Sequence, residues 1–211
     1  MPLLVALAVL APVSGIVTIA GQMQGRQRLV YVSKPLATFL ILLIALLARE
    51  PVTPLYRVAF VAGLVFSLAG DVFLMLPGRF FLPGLAAFLV AHLWYGAGLV
   101  SALAGPVYPW RYAPFLAYAV GLYLYLRPHL SGQRAPVLAY ALVITAMAWL
   151  ALERHVGAPT TSSLLALAGA LLFVASDSAL AINRFAIPFR RSPIAVLGTY
   201  YAAQLLLALS V

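Results

Sequence analysis

Residues 64–77 read LVFSLAGDVFLMLP, a run that is apolar but for Ser67 and a single carboxylate, Asp71. Whether that run crosses a bilayer decides the fold. Of 211 residues, 65% are hydrophobic and 8% are charged, with a mean hydropathy of +1.07. A water-soluble domain of this length needs far more polar surface to cover its core. The chain therefore reads as an all-α integral membrane protein.

A spanning helix takes about 20 mostly apolar residues. Eight stretches qualify, roughly 3–21, 30–48, 55–76, 81–103, 110–126, 135–152, 160–182 and 193–211. Short connections rich in Pro, Gly and Arg join them, so residues 1–211 read as one transmembrane domain of eight helices. Uniform hydrophobicity excludes a barrel, whose strands alternate in polarity. The first stretch lacks the basic flank of a signal peptide and reads as a retained helix. Ser33 is expected to cap the second helix, with Pro35 in its first turn.

The net charge is +9, but the thirteen Lys and Arg are scattered between apolar runs. That pattern fits anchors against membrane lipid headgroups and argues against nucleic acid as a partner. Cysteine is absent, so disulfides and thiolate metal sites are excluded. Odd-numbered loops and their edges hold nine cations, Arg26, Arg28, Lys34, Arg79, Arg127, Arg134, Arg184, Arg190 and Arg191. Even-numbered loops hold four: Arg49, Arg57, Arg111 and Arg154. The positive-inside rule then puts odd loops in the cytoplasm and both termini outside, as expected of a compact protein of a bacterial inner membrane.

The second isolated acid is Asp177, in LLFVASDSALAI, residues 171–182. Shifting the chain by 106 residues aligns Gly15 with Gly121, Gly63 with Gly169, Asp71 with Asp177 and Tyr95 with Tyr201, without a gap. An offset of four helices implies two parallel four-helix repeats, residues 1–105 and 106–211.

Insertion of Asp at the centre of a membrane helix costs about 2.5–3.5 kcal/mol. Two such residues in a chain with only four acids call for a compensating reason. One reading makes them interhelical hydrogen-bond partners, with Ser67 serving Asp71 and the flanking Ser176 and Ser178 serving Asp177. The other makes them a functional pair facing a cavity, because intramembrane ionisable groups mark chemistry or transport. His92, Tyr95 and Gly96 share a helix face in AHLWYG, and Gln204 shares one with Tyr200 and Tyr201. These side chains are either packing glue between helices or the lining of a pocket. Lys34 lies at the same membrane level as both Asp residues, as a snorkelling anchor or as a cation facing a phosphate.

No HExxH, P-loop, GxSxG or dinucleotide fingerprint is present. His129 and His155 fall on opposite sides of the membrane, so they do not join His92 in a metal site.

Five segments occur in order: KPLATFLILL, GLVFSLAGDVFLML, FLVAHLWYGAGL, LLFVASDSALAI and TYYAAQLLLALS. Together they resemble the YhhN family of membrane proteins, whose characterised animal members are lysoplasmalogenases. The resemblance implies eight helices and two catalytic intramembrane aspartates, Asp71 and Asp177. Lys34, His92, Tyr95, Ser176, Tyr200, Tyr201 and Gln204 follow as pocket candidates, and a lysophospholipid as substrate.

The implied reaction cleaves the vinyl ether of a lysoplasmalogen to a fatty aldehyde and a glycerophospho-headgroup compound. Vinyl ethers hydrolyse by protonation of the β-carbon, capture of the oxocarbenium ion by water, and collapse of the hemiacetal. Burial and a second carboxylate nearby favour the protonated form of a carboxyl, so a buried pair supplies both acid and anion. Glycoside hydrolysis uses paired carboxyls on a cation of the same kind. The scheme calls for no cofactor and no metal. Lys34, Arg79 and Arg184 are candidates for headgroup contact. The competing class is a proton-coupled transporter that binds and releases protons on the same carboxylates. A third is a non-catalytic lipid-binding or scaffold protein.

Overall fold

Backbone groups in hydrocarbon must bond within their own segment, and the apolar runs do so as helices. The structure, a computed structural model, describes residues 2–48 and 50–211. Arg49, counted above among the even-loop cations, lies outside the described residues. Among the described residues there are eight α-helices and no strand. They are α1 (Pro2–Met23), α2 (Gln27–Leu46), α3 (Pro54–Met75), α4 (Phe81–Ser101), α5 (Ala113–Leu126), α6 (Arg134–Gly157), α7 (Thr161–Ala181) and α8 (Ser192–Leu209).

Seven of these are long and apolar enough to cross a membrane, and the chain is a multi-pass membrane protein. The exception is α5, whose 14 residues rise about 21 Å, short of a bilayer core of about 30 Å. Short 3₁₀ turns at Pro109–Tyr112 and Arg127–His129 flank it.

Helix ends follow local chemistry. Thr53 and Thr160 cap α3 and α7, each side chain accepting from a backbone N–H one turn on, at Tyr56 and Ser163. Ser33 does not cap α2, contrary to the sequence expectation. The helix begins six residues earlier, at Gln27, and Ser33 lies inside it, donating to the Leu29 carbonyl at 2.8 Å. The ERHVG segment, read as loop, is the last turn of α6, where both Glu153 and Arg154 are buried.

Helices α2, α3, α4, α6, α7 and α8 pack in a closed ring, each against the next and α8 back onto α2. Helix α1 lies outside against α2 and α8, and α5 lies outside on α6. Glycines permit the tightest approach. A Cβ at Gly63 of α3 would fall 2.3 Å from the Tyr95 ring of α4, and one at Gly70 would fall 2.6 Å from Phe88. The core follows from this contact: Tyr56, Phe60, Tyr95 and Phe173 are fully buried within the ring.

At one end of the bundle Arg154 donates to the Tyr56 hydroxyl at 2.9 Å and to Ser162 Oγ at 2.7 Å, with its guanidinium over the Tyr56 ring. Beside it Glu153 pairs with Arg111 at 3.1 Å and accepts from Trp149. The opposite end, where α2, α4 and α8 begin and α1, α3 and α7 finish, is hollow.

Candidate functional site

The hollow is a cavity of about 320 Å³ lined by residues of α1, α2, α3, α4, α7 and α8. Asp71, in the last turn of α3, and Asp177, one turn before α7 ends, both line it. Lys34 enters from α2, Tyr200 and Ser192 from α8, and Gln22 from the end of α1. Past Asp177 the chain winds into a π turn, Ile182–Ala186, which brings Asn183 and Arg184 to the same cavity. The Asn183 side chain accepts from the Phe189 backbone at 3.1 Å, fixing the turn, and Arg184 lies over the Phe81 ring.

The two carboxylates are held differently. Lys34 Nζ is 3.3 Å from Asp71 Oδ1, while Thr38 and Tyr200 donate to Oδ2 at 2.5 and 2.7 Å. Both Asp71 oxygens are thus engaged, one with a cation and one with two hydroxyls. The residue is 1% exposed. Behind it a hydrogen-bonded chain runs through the core. Gln204 donates to Tyr200 at 3.2 Å, Tyr95 donates to Gln204 at 2.7 Å, and Ser67 lies 3.4 Å from the Tyr95 hydroxyl. Ordered networks of this kind fix their members' positions.

Asp177 meets one donor, the hydroxyl of Tyr140 on α6, at Oδ2. On its other side the lining is apolar but for Tyr140: Phe88, Leu180, Val137 and Phe185 border an adjoining space. Asp177 is only half-buried, and no described side chain donates to Oδ1.

The serine assignments are corrected by this geometry. Ser67 bonds toward Tyr95 and not to Asp71. Ser176 lines the cavity but donates to the Val196 carbonyl, and Ser178 donates to Val174 and accepts from Tyr118. Serines inside a helix find the carbonyl a turn back, or a neighbouring helix, before they find an adjacent residue.

Of the pocket candidates, Lys34, Ser176 and Tyr200 line the cavity, and Tyr95 and Gln204 stand behind it in the hydrogen-bonded chain. His92 is packed among the rings of Tyr95, Tyr140 and Phe173, 4.6 Å from the last, and neither nitrogen has a hydrogen-bond partner among the described residues. Tyr201 faces α1, where a Cβ at Gly15 would fall 2.8 Å from its ring. Lys34 and Arg184 line the cavity, whereas the Arg79 guanidinium lies over Phe80. Two hydroxyl partners of the carboxylates escaped sequence reading, Thr38 and Tyr140, as did the cavity residues Gln22, Asn183 and Ser192. Neither hydroxyl stands out in a chain of eleven tyrosines, but the 106-residue offset carries Lys34 onto Tyr140 and was the signal for it. Among the described residues no three His, Asp or Glu side chains gather closely enough to share a metal ion.

The sequence profile of the YhhN family matches residues 29–211, which include every helix that lines the cavity except α1. The chain belongs to the YhhN family. Within reach of this YhhN protein are curated relatives of known name. It is 36% identical over 154 residues to the Bos taurus lysoplasmalogenase TMEM86A, a match covering 70% of this chain and 62% of that protein. It is 37% identical over 157 residues to Homo sapiens lysoplasmalogenase TMEM86B, covering 70% of this chain and 61% of that one. A lysoplasmalogenase of Mycobacterium tuberculosis (strain CDC 1551 / Oshkosh) is 33% identical over 155 residues, covering 70% and 58%. The chain spans about three-fifths of the length of these relatives. No solved structure matches it.

Proposed function

We propose that this YhhN protein is a lysoplasmalogenase, hydrolysing the vinyl ether of a membrane lysophospholipid to a fatty aldehyde and a glycerophospho-headgroup compound. One observation carries the reading: two carboxylates from different helices line one cavity, one fully paired and one with a free oxygen. The names of the relatives give the same chemistry.

The geometry divides the labour. Asp177, with an oxygen open to the cavity and a single neutral donor, is the general acid. Its proton goes to the β-carbon of the vinyl ether, and an oxocarbenium ion forms at the carbon bearing oxygen. Asp71, held as an anion by Lys34, Thr38 and Tyr200, faces that cation. Water adds to it, giving its proton back to Asp177, and the hemiacetal collapses to aldehyde and alcohol. The phosphate sits at the mouth near Lys34 and Arg184, and draws on the Lys34 ammonium, so that more of the Asp71 charge bears on the cation. Tyr95 and Gln204 position Tyr200 and do not touch substrate.

The reading extends to topology. Together with its flanking 3₁₀ turns, α5 completes an eighth crossing over 109–129, the counterpart of α1 in a parallel repeat. Supporting the repeat, α3 packs on α4 as α7 packs on α8, and α4 meets α6 as α8 meets α2. The cavity end, rich in Arg, is the cytoplasmic one, in a bacterial inner membrane.

The test is aldehyde release from a lysoplasmenyl phospholipid by purified protein, beside Asp71→Asn, Asp177→Asn and a saturated alkyl-ether lipid. Aldehyde from the vinyl ether alone, lost in both variants, is expected. No aldehyde from folded wild-type protein overturns the reading, and substrate-driven proton flux in vesicles would then favour a carrier.

A further inference from the structure

Further spaces adjoin the cavity on the far side of Asp177. A second, narrower space of about 40 Å³ shares Phe81, Phe88, Asp177 and Leu180 with it, and is otherwise bordered by apolar side chains and Tyr140. A third, also about 40 Å³, shares Val137, Tyr140, Asp177 and Ala181 with the second and reaches α5 at Ala119, Leu122 and Leu126. A fourth of about 530 Å³ shares Tyr118, Thr145 and Val174 with the third. It runs along α6 to Leu152 and opens between α5 and α7. Four spaces thus lie in series, each sharing wall residues with the next, from the polar mouth that holds both carboxylates to the apolar flank of the bundle. Tyr140 to Leu152 along α6 is a rise of about 18 Å.

The gradient is chemical as well as spatial. Cations and amides, Lys34, Arg184, Gln22 and Asn183, stand at one end, and beyond Asp177 the lining is hydrocarbon except for a few hydroxyls. Helix α5, which walls the third and fourth spaces, is the least embedded of the helices. Of its residues only Ala119 and Leu126 are buried. One side-chain hydrogen bond ties it to α7, from the Tyr118 hydroxyl to Ser178 at 2.8 Å, at the border between those two spaces.

We propose that these spaces form the binding channel for the single unbranched alkenyl chain of the substrate, with the α5–α7 seam as its lateral exit to the bilayer and its chain-length filter. This rests on the lysoplasmalogen reading. The occupant follows from the order and lining of these spaces: a chain whose reacting double bond lies at Asp177 and whose headgroup lies at the mouth has these apolar spaces ahead of it. The narrow middle spaces take one chain in single file. Tyr118 and Val174, at the junction, act on chain length and not on the chemical step.

Two experiments separate this inference from the reading beneath it. In the first, kcat/KM is measured for octenyl and octadecenyl lysoplasmenyl lipids in wild type and Val174→Trp. The octadecenyl lipid is expected to lose about tenfold, as when two methylenes are shut out of an apolar slot, while the octenyl lipid stays within about twofold. Equal loss for both lipids, or no loss for either, overturns the channel. In the second, an alkyl-ether lysophospholipid with a diazirine at its tail end is photolysed with wild-type protein. Label at Phe115, Leu122 or Val174, displaced by unlabelled lysoplasmenyl lipid, is expected whether or not turnover is seen. Label spread over the lipid-facing helices and insensitive to competitor overturns the channel. The absence of aldehyde in the first experiment with competed label in the second would overturn the hydrolase reading alone.

Discussion

Lys34 and Tyr140 occupy the same place relative to the two aspartates: each stands 37 residues before the one it touches. The two acids therefore sit in matched frames, α2 against α3 and α6 against α7, but with unlike partners. A cation in one frame and a phenol in the other make the two positions chemically unequal. Paired carboxyls do acid and anion work when their environments differ in this way.

Breaking the first frame costs stability. Lys34→Met leaves Asp71 charged and without its cation, and Asp71→Asn strands the Lys34 ammonium. Each is expected to lower unfolding stability by about 3–5 kcal/mol. The double variant is expected to recover most of that loss without recovering aldehyde release. Thermal unfolding in detergent checks it, and a Lys34→Met protein as stable and active as wild type would refute the pairing.

The second frame bears on rate. Tyr140→Phe keeps the ring against His92 and removes only the hydroxyl donated to Asp177. Loss of one hydrogen bond of about 1 kcal/mol predicts a fall in kcat of several-fold up to about tenfold, with unfolding temperature little changed. A fall in stability with unchanged kcat would assign Tyr140 to packing.

Gly63→Ala tests the helix seam behind the site. The added methyl meets the Tyr95 ring at 2.3 Å, with the tilted Phe60 ring 5.2 Å away on centroids, so the Tyr95 ring must move. Overpacking is expected to cost about 1–3 kcal/mol, and displacement of Tyr95 from Gln204 should lower kcat as well. Circular dichroism melts together with turnover decide it.

Arg184→Gln addresses the mouth. The side chain touches neither carboxylate, so KM for a lysoplasmenyl lipid should rise about tenfold while kcat holds within twofold, the pattern of lost uniform binding. High salt should weaken wild-type binding and affect the variant less. A change in kcat alone would place Arg184 in the chemical step.

The apolar run lengths made the helices legible, since nothing else satisfies a backbone in hydrocarbon. Asp71, Asp177 and Lys34 were legible as charges where charge is costly. Their mutual arrangement was less so. Ser67 and Ser178 looked like partners for the acids because they are near in sequence, yet the partners that form, Thr38, Tyr140 and Tyr200, come from other helices. His92 drew attention as the one imidazole at depth, but rings surround it and it stands back from the cavity. Helix α5 met the composition rule over 110–126, but the α-helical part is shorter: Pro109 opens a 3₁₀ turn before it, Pro114 stands in its first turn and Pro128 lies in the 3₁₀ turn that follows.

The change of lining at Asp177 has a bearing on what leaves the site. On the proposed reaction the glycerophospho-headgroup compound, being charged, would return through the Arg184 mouth to water. The aldehyde, an electrophile toward amines, would find a mainly hydrocarbon lining ahead of it and would depart sideways into the leaflet. Cutting the bond at the boundary between the two linings would sort the products by phase and hold the reactive one in the membrane.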